Sequence, residues 1–158
     1  MAVKPIPDEY NTITPYLYFD GATKAIDWYK QAFGAKERMR MPGPGGTIGH
    51  AELEIGDSII MMSDMAEQSP KKLGHVTSSF VLYVKDVDSA FKKAIDAGAK
   101  ELQPLEDKFY GDRMGTLADP FGHEWSLGTH VEDVSPAEMQ KRSQAAMAQM
   151  AGGSERSA

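Results

Sequence analysis

Cysteine is absent from the 158 residues. That excludes a disulfide framework, a thiolate nucleophile and a thiolate metal site, and it fits a reducing compartment. Long apolar runs are absent too. Met1–Tyr10 carries charges and two prolines, so neither a signal peptide nor a membrane span is expected, and a cytoplasmic location is the default. Basic patches are scarce: 17 Lys and Arg stand against 23 Asp and Glu, a formal charge of −6. Nucleic-acid binding needs a basic stripe, and nucleotide binding a glycine-rich loop between strand and helix. Neither pattern is present, so nucleic acid and membrane are not expected partners, and a methyltransferase-like or DNA-binding role ranks last.

What the chain does contain is a repeat. Ala25–Glu37 reads AIDWYKQAFGAKE and Ala90–Glu101 reads AFKKAIDAGAKE, with Gly34-Ala35-Lys36-Glu37 recurring as Gly98-Ala99-Lys100-Glu101. A duplicated unit follows. Two copies are too few for a solenoid, so one pseudo-symmetric domain is expected, with a cavity where its halves meet. The length suffices for one self-supporting core.

Each copy follows a β-branched and aromatic run, Thr12–Phe19 in one and Ser78–Val84 in the other. The spacing of Ala22, Ala25, Ile26, Tyr29 and Phe33 predicts a helix stopped by Gly34. Val87, Phe91, Ala94 and Ile95 predict a second, stopped by Gly98. Strands are expected at Lys36–Met41, His50–Ile55, Ser58–Ser63, Lys100–Leu105, Arg113–Ala118 and Glu124–Gly128, with Pro42–Gly46 as a loop. The fold class is therefore α+β, two tandem βαβββ modules whose sheets form a cupped pocket. The expected boundaries are an N-terminal arm 1–11, module one 12–64, a linker 65–76, module two 77–130, a C-terminal helix 131–150 and a disordered tail 151–158. Ser135, Pro136 and Glu138 supply the N-cap, N1 and N3 residues of that last helix.

The paired units, the AIDWYKQAFGAKE helix exit and the DPFGHEW turn and strand resemble the vicinal oxygen chelate superfamily, which includes glyoxalase I, fosfomycin and bleomycin resistance proteins and extradiol dioxygenases. The likeness covers about Thr12 to His130, and the GHAELEIGDSIIMMSD and YGDRMGTLADPFGHEW stretches look most like its PhnB-type branch. The resemblance implies four cup-facing positions that hold a divalent metal through His, Gln or Glu. Here they map to Thr14, Ile60, Ser79 and Ser126. None is a strong ligand for a divalent ion, so the usual metal site, and with it a metal cofactor, is not expected. The resemblance also implies a homodimer whose cup is completed by the partner chain.

Strand alternation then names the other cup-facing side chains. Tyr16, Tyr18, Met62, Tyr83 and Ser126 are the expected ligand-binding residues, with Arg113 as a clamp for an anionic group. His50 and Glu52, two apart on one strand, point the same way and form a conceivable acid/base pair; Glu124 is a third candidate for acid/base work or for an off-pattern metal. His75, His123 and His130 receive no role. Two readings stay open. One is a metal-independent protein that binds a small aromatic or amphiphilic molecule. The other is a lyase, isomerase or transferase using His50 and Glu52 as acid and base, with or without an off-pattern metal held by His50, Glu52 or Glu124.

Overall fold

The computed structural model describes residues 3–154. In module one, β1 (Tyr16–Phe19) leads through α1 (Ala22–Phe33) to β2 (Lys36–Pro42), β3 (Ile48–Ile55) and β4 (Ser58–Asp64). After a 3₁₀ turn at Ala66–Gln68 and a short helix α2 (Pro70–Leu73), module two repeats the order: β5 (Phe80–Tyr83), α3 (Val87–Asp96), β6 (Lys100–Asp107), β7 (Asp112–Ala118) and β8 (Glu124–His130). The helix α4 (Pro136–Ser154) follows. Each module forms its own sheet, ordered β1-β4-β3-β2 and β5-β8-β7-β6. In each, the opening strand runs parallel to the last strand and the rest is antiparallel. Neither sheet closes into a barrel, and their helix-free faces form the walls of an open cup.

The helices cover one face of each sheet because only that face is apolar throughout. Leu17, Phe19, Ala51, Leu53, Ile60 and Met62 meet Ala25, Ile26 and Tyr29 of α1, and all are buried. Leu117, Trp125 and Leu127 do the same under Val87, Phe91 and Ala94 of α3. One core runs through both modules. Trp28 of α1 donates its indole N–H to the Ala97 carbonyl at 2.8 Å, and Tyr29 reaches across to Asp119. The aromatic rings of Tyr29 and Phe33 pack edge-on against Trp125 at 5.6 and 5.0 Å between centroids.

Local chemistry fixes the joints. α1 ends at Gly34, whose φ of 65° lets its N–H return to the Tyr29 carbonyl; a residue with a Cβ resists that geometry. At the other end, Asp64 Oδ1 accepts from the Gly21 and Ala22 amides at 2.9 and 2.8 Å, while Oδ2 accepts from the Ile48 amide at 2.7 Å. One carboxylate thus ties the start of α1 to β3. α3 begins at Asp86, whose side chain accepts from the Ser89 amide.

Several expected boundaries move. The first strand starts at Tyr16, because Pro15 has no N–H for the ladder, although its carbonyl accepts from the Met61 amide. The 65–76 stretch is not featureless: Ser69 caps α2, buried beneath it. The C-terminal helix does not stop at Met150 but continues to Ser154, which corrects the expected start of the tail; residues 155–158 lie outside the described residues.

Candidate functional site

β1 delivers Tyr16 and Tyr18 to the helix-free face of sheet one, their ring centroids 5.5 Å apart. β3 delivers His50 and Glu52 to the same face, since Ala51 and Leu53 between and beyond them are buried against α1. These residues form one hydrogen-bonded chain. The Tyr16 hydroxyl and His50 Nδ1 are 3.0 Å apart, and His50 Nε2 lies 3.2 Å from Glu52 Oε1. Glu52 is buried, at 6% exposure. Its second oxygen accepts from the Tyr10 hydroxyl and lies 3.6 Å from Arg38 Nε. Burial alone would raise the Glu52 carboxyl. The hydrogen bonds from Tyr10 and His50, with the charges of His50 and Arg38, outweigh it and hold the group below the usual carboxylate range. Glu52 is therefore a poor proton donor and a good acceptor near neutrality, while an imidazole in hydrogen-bond reach of a phenol and a carboxylate is a competent proton carrier.

Sheet two presents Val81, Tyr83, Met114, Thr116 and Ser126 on its helix-free face. Val81 and Tyr83 are 56% and 59% exposed. The Tyr83 hydroxyl donates to Asp112 Oδ2 at 2.6 Å, and Asp112 Oδ1 lies 2.7 Å from His130 Nδ1. Ser126 shares a 2.9 Å hydrogen bond with Thr116. Glu124 stands opposite Ala118 at the far end of β7 and β8, on the other sheet from His50 and Glu52.

The two walls meet along the edge strands β1 and β5. A cavity of about 580 Å³ at this joint takes in cup-facing Val81 and Tyr83 and wraps past the strand edge to the helix-side residues Ile60, Phe80 and Trp125. A second, of about 230 Å³, is lined by Tyr16, Tyr18, Phe80 and His123. His123 is buried, with Nε2 2.9 Å from the Tyr18 carbonyl; it braces this joint. A larger cavity, about 720 Å³, lies elsewhere, between Asp20, Lys24, Gly46 and Phe121 at the start of α1. Asp64 already takes the helix amides that would attract an anion there, so the tyrosine-lined joint is the better site.

Two expected site residues face the other way. Met62 lies opposite Ala51 and is fully buried against the helix side; Met61 is its cup-facing neighbour. Arg113 lies opposite Thr129, also on the helix side, where its guanidinium pairs with Asp88 of α3 at 2.8 and 2.9 Å and with Asp107 at 3.2 Å. It clamps a helix and not an incoming anion. The metal mapping shifts as well. Val81 pairs with Ser126 and Tyr16 with Met61, so the module-one counterpart of Ser126 is Met61 and not Ile60. The four positions thus carry three hydroxyls and a thioether, a donor set that does not fit a divalent ion favouring carboxylate and imidazole.

Sequence reasoning missed Tyr10, Arg38, Asp112 and His130. Arg38 is turned toward Glu52 at a register shift between Glu37 and Met39, and Tyr10 sits in a segment without period. Asp112 and His130 face each other across β7 and β8, a pairing that the two hairpin strands could have suggested.

Comparison with known proteins agrees with this architecture. The family model of the Glyoxalase/Bleomycin resistance protein/Dioxygenase superfamily matches residues 11–127. An uncharacterised protein of Mycobacterium bovis is 43% identical over 135 residues, covering 81% of this chain and 89% of its own length. Among solved structures, TioX from Micromonospora sp. ML1 superposes with a TM-score of 0.61 at 30% identity, covering 79% of this chain and 100% of its own. A PhnB protein from Bacillus cereus, described as a putative 3-demethylubiquinone-9 3-methyltransferase, superposes at 0.63 with 21% identity over 75% of this chain and 99% of its own, a likeness of fold alone. With more than half of its length matched by the family model and its duplicated βαβββ sheets in place, the chain belongs to the Glyoxalase/Bleomycin resistance protein/Dioxygenase superfamily.

Proposed function

We propose that this protein binds a small aromatic or amphiphilic molecule in the cup, without the divalent metal that the four-position site would hold. The observation that carries this reading is the aromatic and aliphatic lining at the joint of the two sheets, with Tyr16, Val81 and Tyr83 exposed and Tyr18 half-buried, beside a few fixed polar groups. Apolar walls with sparse, oriented hydrogen-bonding groups are the usual make-up of a small-molecule site. The thioether and hydroxyls at the four ligand positions support the metal-free part. Met39, Met41, Val81 and Tyr83 are each at least 39% exposed, which supports a homodimer in which a second copy covers the rims of the cup.

The test is a thermal-shift screen of aromatic and amphiphilic compounds, followed by titration of a hit against wild type, Tyr16→Ala and Tyr83→Ala. A ligand at one hundred times its Kd stabilises by about 2.7 kcal/mol, and both variants should lose most of that gain. Unchanged affinity in both would sink the assignment. Elemental analysis of the same desalted protein should find less than one divalent ion per subunit, and a monomer mass by light scattering would remove the dimer.

The Tyr16–His50–Glu52 chain favours a second reading, an enzyme of lyase, isomerase or transferase type with His50 moving a proton and Glu52 holding the imidazole. Once a substrate is known, His50→Ala should lower kcat by a factor of about 10² or more; a fully active variant rejects it.

A further inference from the structure

The residues before β1 lie across the helix-free face of sheet one, where the side chains of Glu9 and Tyr10 both reach the Arg38–Glu52 pair. Glu9 places its carboxylate 2.8 Å from Arg38 Nη1. Tyr10 donates its hydroxyl to Glu52 Oε2 and lays its ring 5.4 Å from the Arg38 guanidinium carbon. His50 already occupies Glu52 Oε1, so Oε2 is the oxygen left for an incoming donor. A carboxylate on the arginine, a phenol hydroxyl on the buried glutamate and an aromatic ring against the guanidinium are together the contacts of a single small molecule.

We propose that Arg38 and Glu52 form a subsite for a hydroxyaryl carboxylate, and that Glu9 and Tyr10 fill it in cis as a displaceable stand-in. The subsite rests on the reading of this face as a ligand wall and adds to it the ligand's polar ends.

Three further observations support displacement. Glu9 has a φ of 71°, the one non-glycine residue among those described with positive φ, and such backbone persists only where its surroundings hold it. Its side chain is 70% exposed, and an exposed ion pair is weakly held. Arg38 Nε is buried and, among the described residues, is the one buried side-chain nitrogen or oxygen without a hydrogen-bond partner, so the arm leaves the guanidinium incompletely satisfied. Room for a ligand exists on both sides of the arm. A cavity of about 520 Å³ lies between Ile6, Tyr10, Thr14 and Met61, and one of about 240 Å³ beside Glu9, Arg38 and Ile59. Tyr10 lines the first and Arg38 the second, so the contacts of the arm with Arg38 and Glu52 lie beside open space.

The test uses the full chain carrying both Glu9→Gly and Tyr10→Ala, titrated calorimetrically with 4-hydroxyphenylacetate beside wild type. The double variant should bind at least tenfold more tightly. Phenylacetate, which lacks the hydroxyl, should show a smaller gain, and adding Arg38→Ala should abolish the gain for both. Equal affinity of wild type and the double variant overturns the proposal. So does an absence of binding to a double variant whose circular dichroism and unfolding match wild type. An anilinonaphthalene sulfonate titration of wild type and Tyr83→Ala separates this outcome from the broader reading. If that dye reports the cup while the double variant gains nothing, only the subsite falls. If the dye ignores Tyr83 while the gain appears, the subsite stands and the two-walled cup falls.

Discussion

Tyr29 and Asp119 are 90 residues apart in the chain, and the tyrosine hydroxyl donates to the carboxylate at 2.5 Å. One lies on the helix of module one, the other in the turn before the last strand of module two. Asp119 also accepts from Trp125 Nε1 and from the backbone amides of Phe121 and His123. Burial pushes its carboxyl up against these four donors and, with the neighbouring carboxylate, pushes the Tyr29 hydroxyl well above its ordinary value. The duplicated halves are therefore joined by a polar node inside a shared apolar core, at the joint that supports the cup.

Removing the acceptor should cost far more than removing one donor, because an unpaired buried polar group loses its full solvation. Asp119→Ala strands four donors and should lose about 3 kcal/mol or more; Tyr29→Phe removes one bond to a carboxylate and should lose about 1–3 kcal/mol. Urea unfolding of both variants measures this. Equal, small losses would mean that the node does not hold the modules together.

Acid sensitivity should come in part from Glu37. Its hydrogen bonds from Arg40 and Lys30 push the carboxyl down to about 2. The folded value lies below the unfolded one, so the contribution is complete above the ordinary carboxylate range, near pH 4.5, and is lost as pH falls toward 2. Glu37→Gln should therefore destabilise at pH 7 and converge on wild type near pH 2. A difference between the two proteins that stays constant over that window contradicts the assignment.

His130 should act in the opposite sense. Hydrogen bonds to Asp112 and Asp133 raise its pKa. A raised folded value gives stabilisation that is complete below the ordinary imidazole pKa of about 6.5 and is lost as pH rises through the folded value. The bond it would loosen ties β8 to the segment before α4. Hydrogen exchange at Glu132 to Met139, corrected for its intrinsic pH dependence, should lose protection in wild type as pH rises above about 6.5. In His130→Gln that pH response should be absent.

The βαβββ order was legible because its signals are local. The apolar spacing from Ala22 to Tyr29, the glycine at position 34 and the alternation of Ala51, Leu53 and Ile55 each act within a few residues. The facing of His50 and Glu52 followed from the same alternation. Where alternation is silent, the reading failed. Ile59, Ile60, Met61 and Met62 are all apolar, so a two-residue period cannot say which pair turns inward, and Met62 went to the wrong wall. Arg113 begins no alternating pattern that marks its face; Asp88 on α3 decides it.

The duplication, the two helices and the strand set were readable along the chain, because repeat, composition and short-range period carry them; the weak donors at the metal positions were readable only through the family likeness that maps those positions, and one of the four had to move from Ile60 to Met61. Long-range packing was needed to turn Arg38 to Glu52, to close Tyr10 over both, and to bring Asp112 to His130 and Asp119 to Tyr29. Those contacts join residues with no local preference for each other. They exist because two packed sheets and one strand irregularity bring buried polar atoms within reach, and a buried polar atom takes the partner that packing supplies.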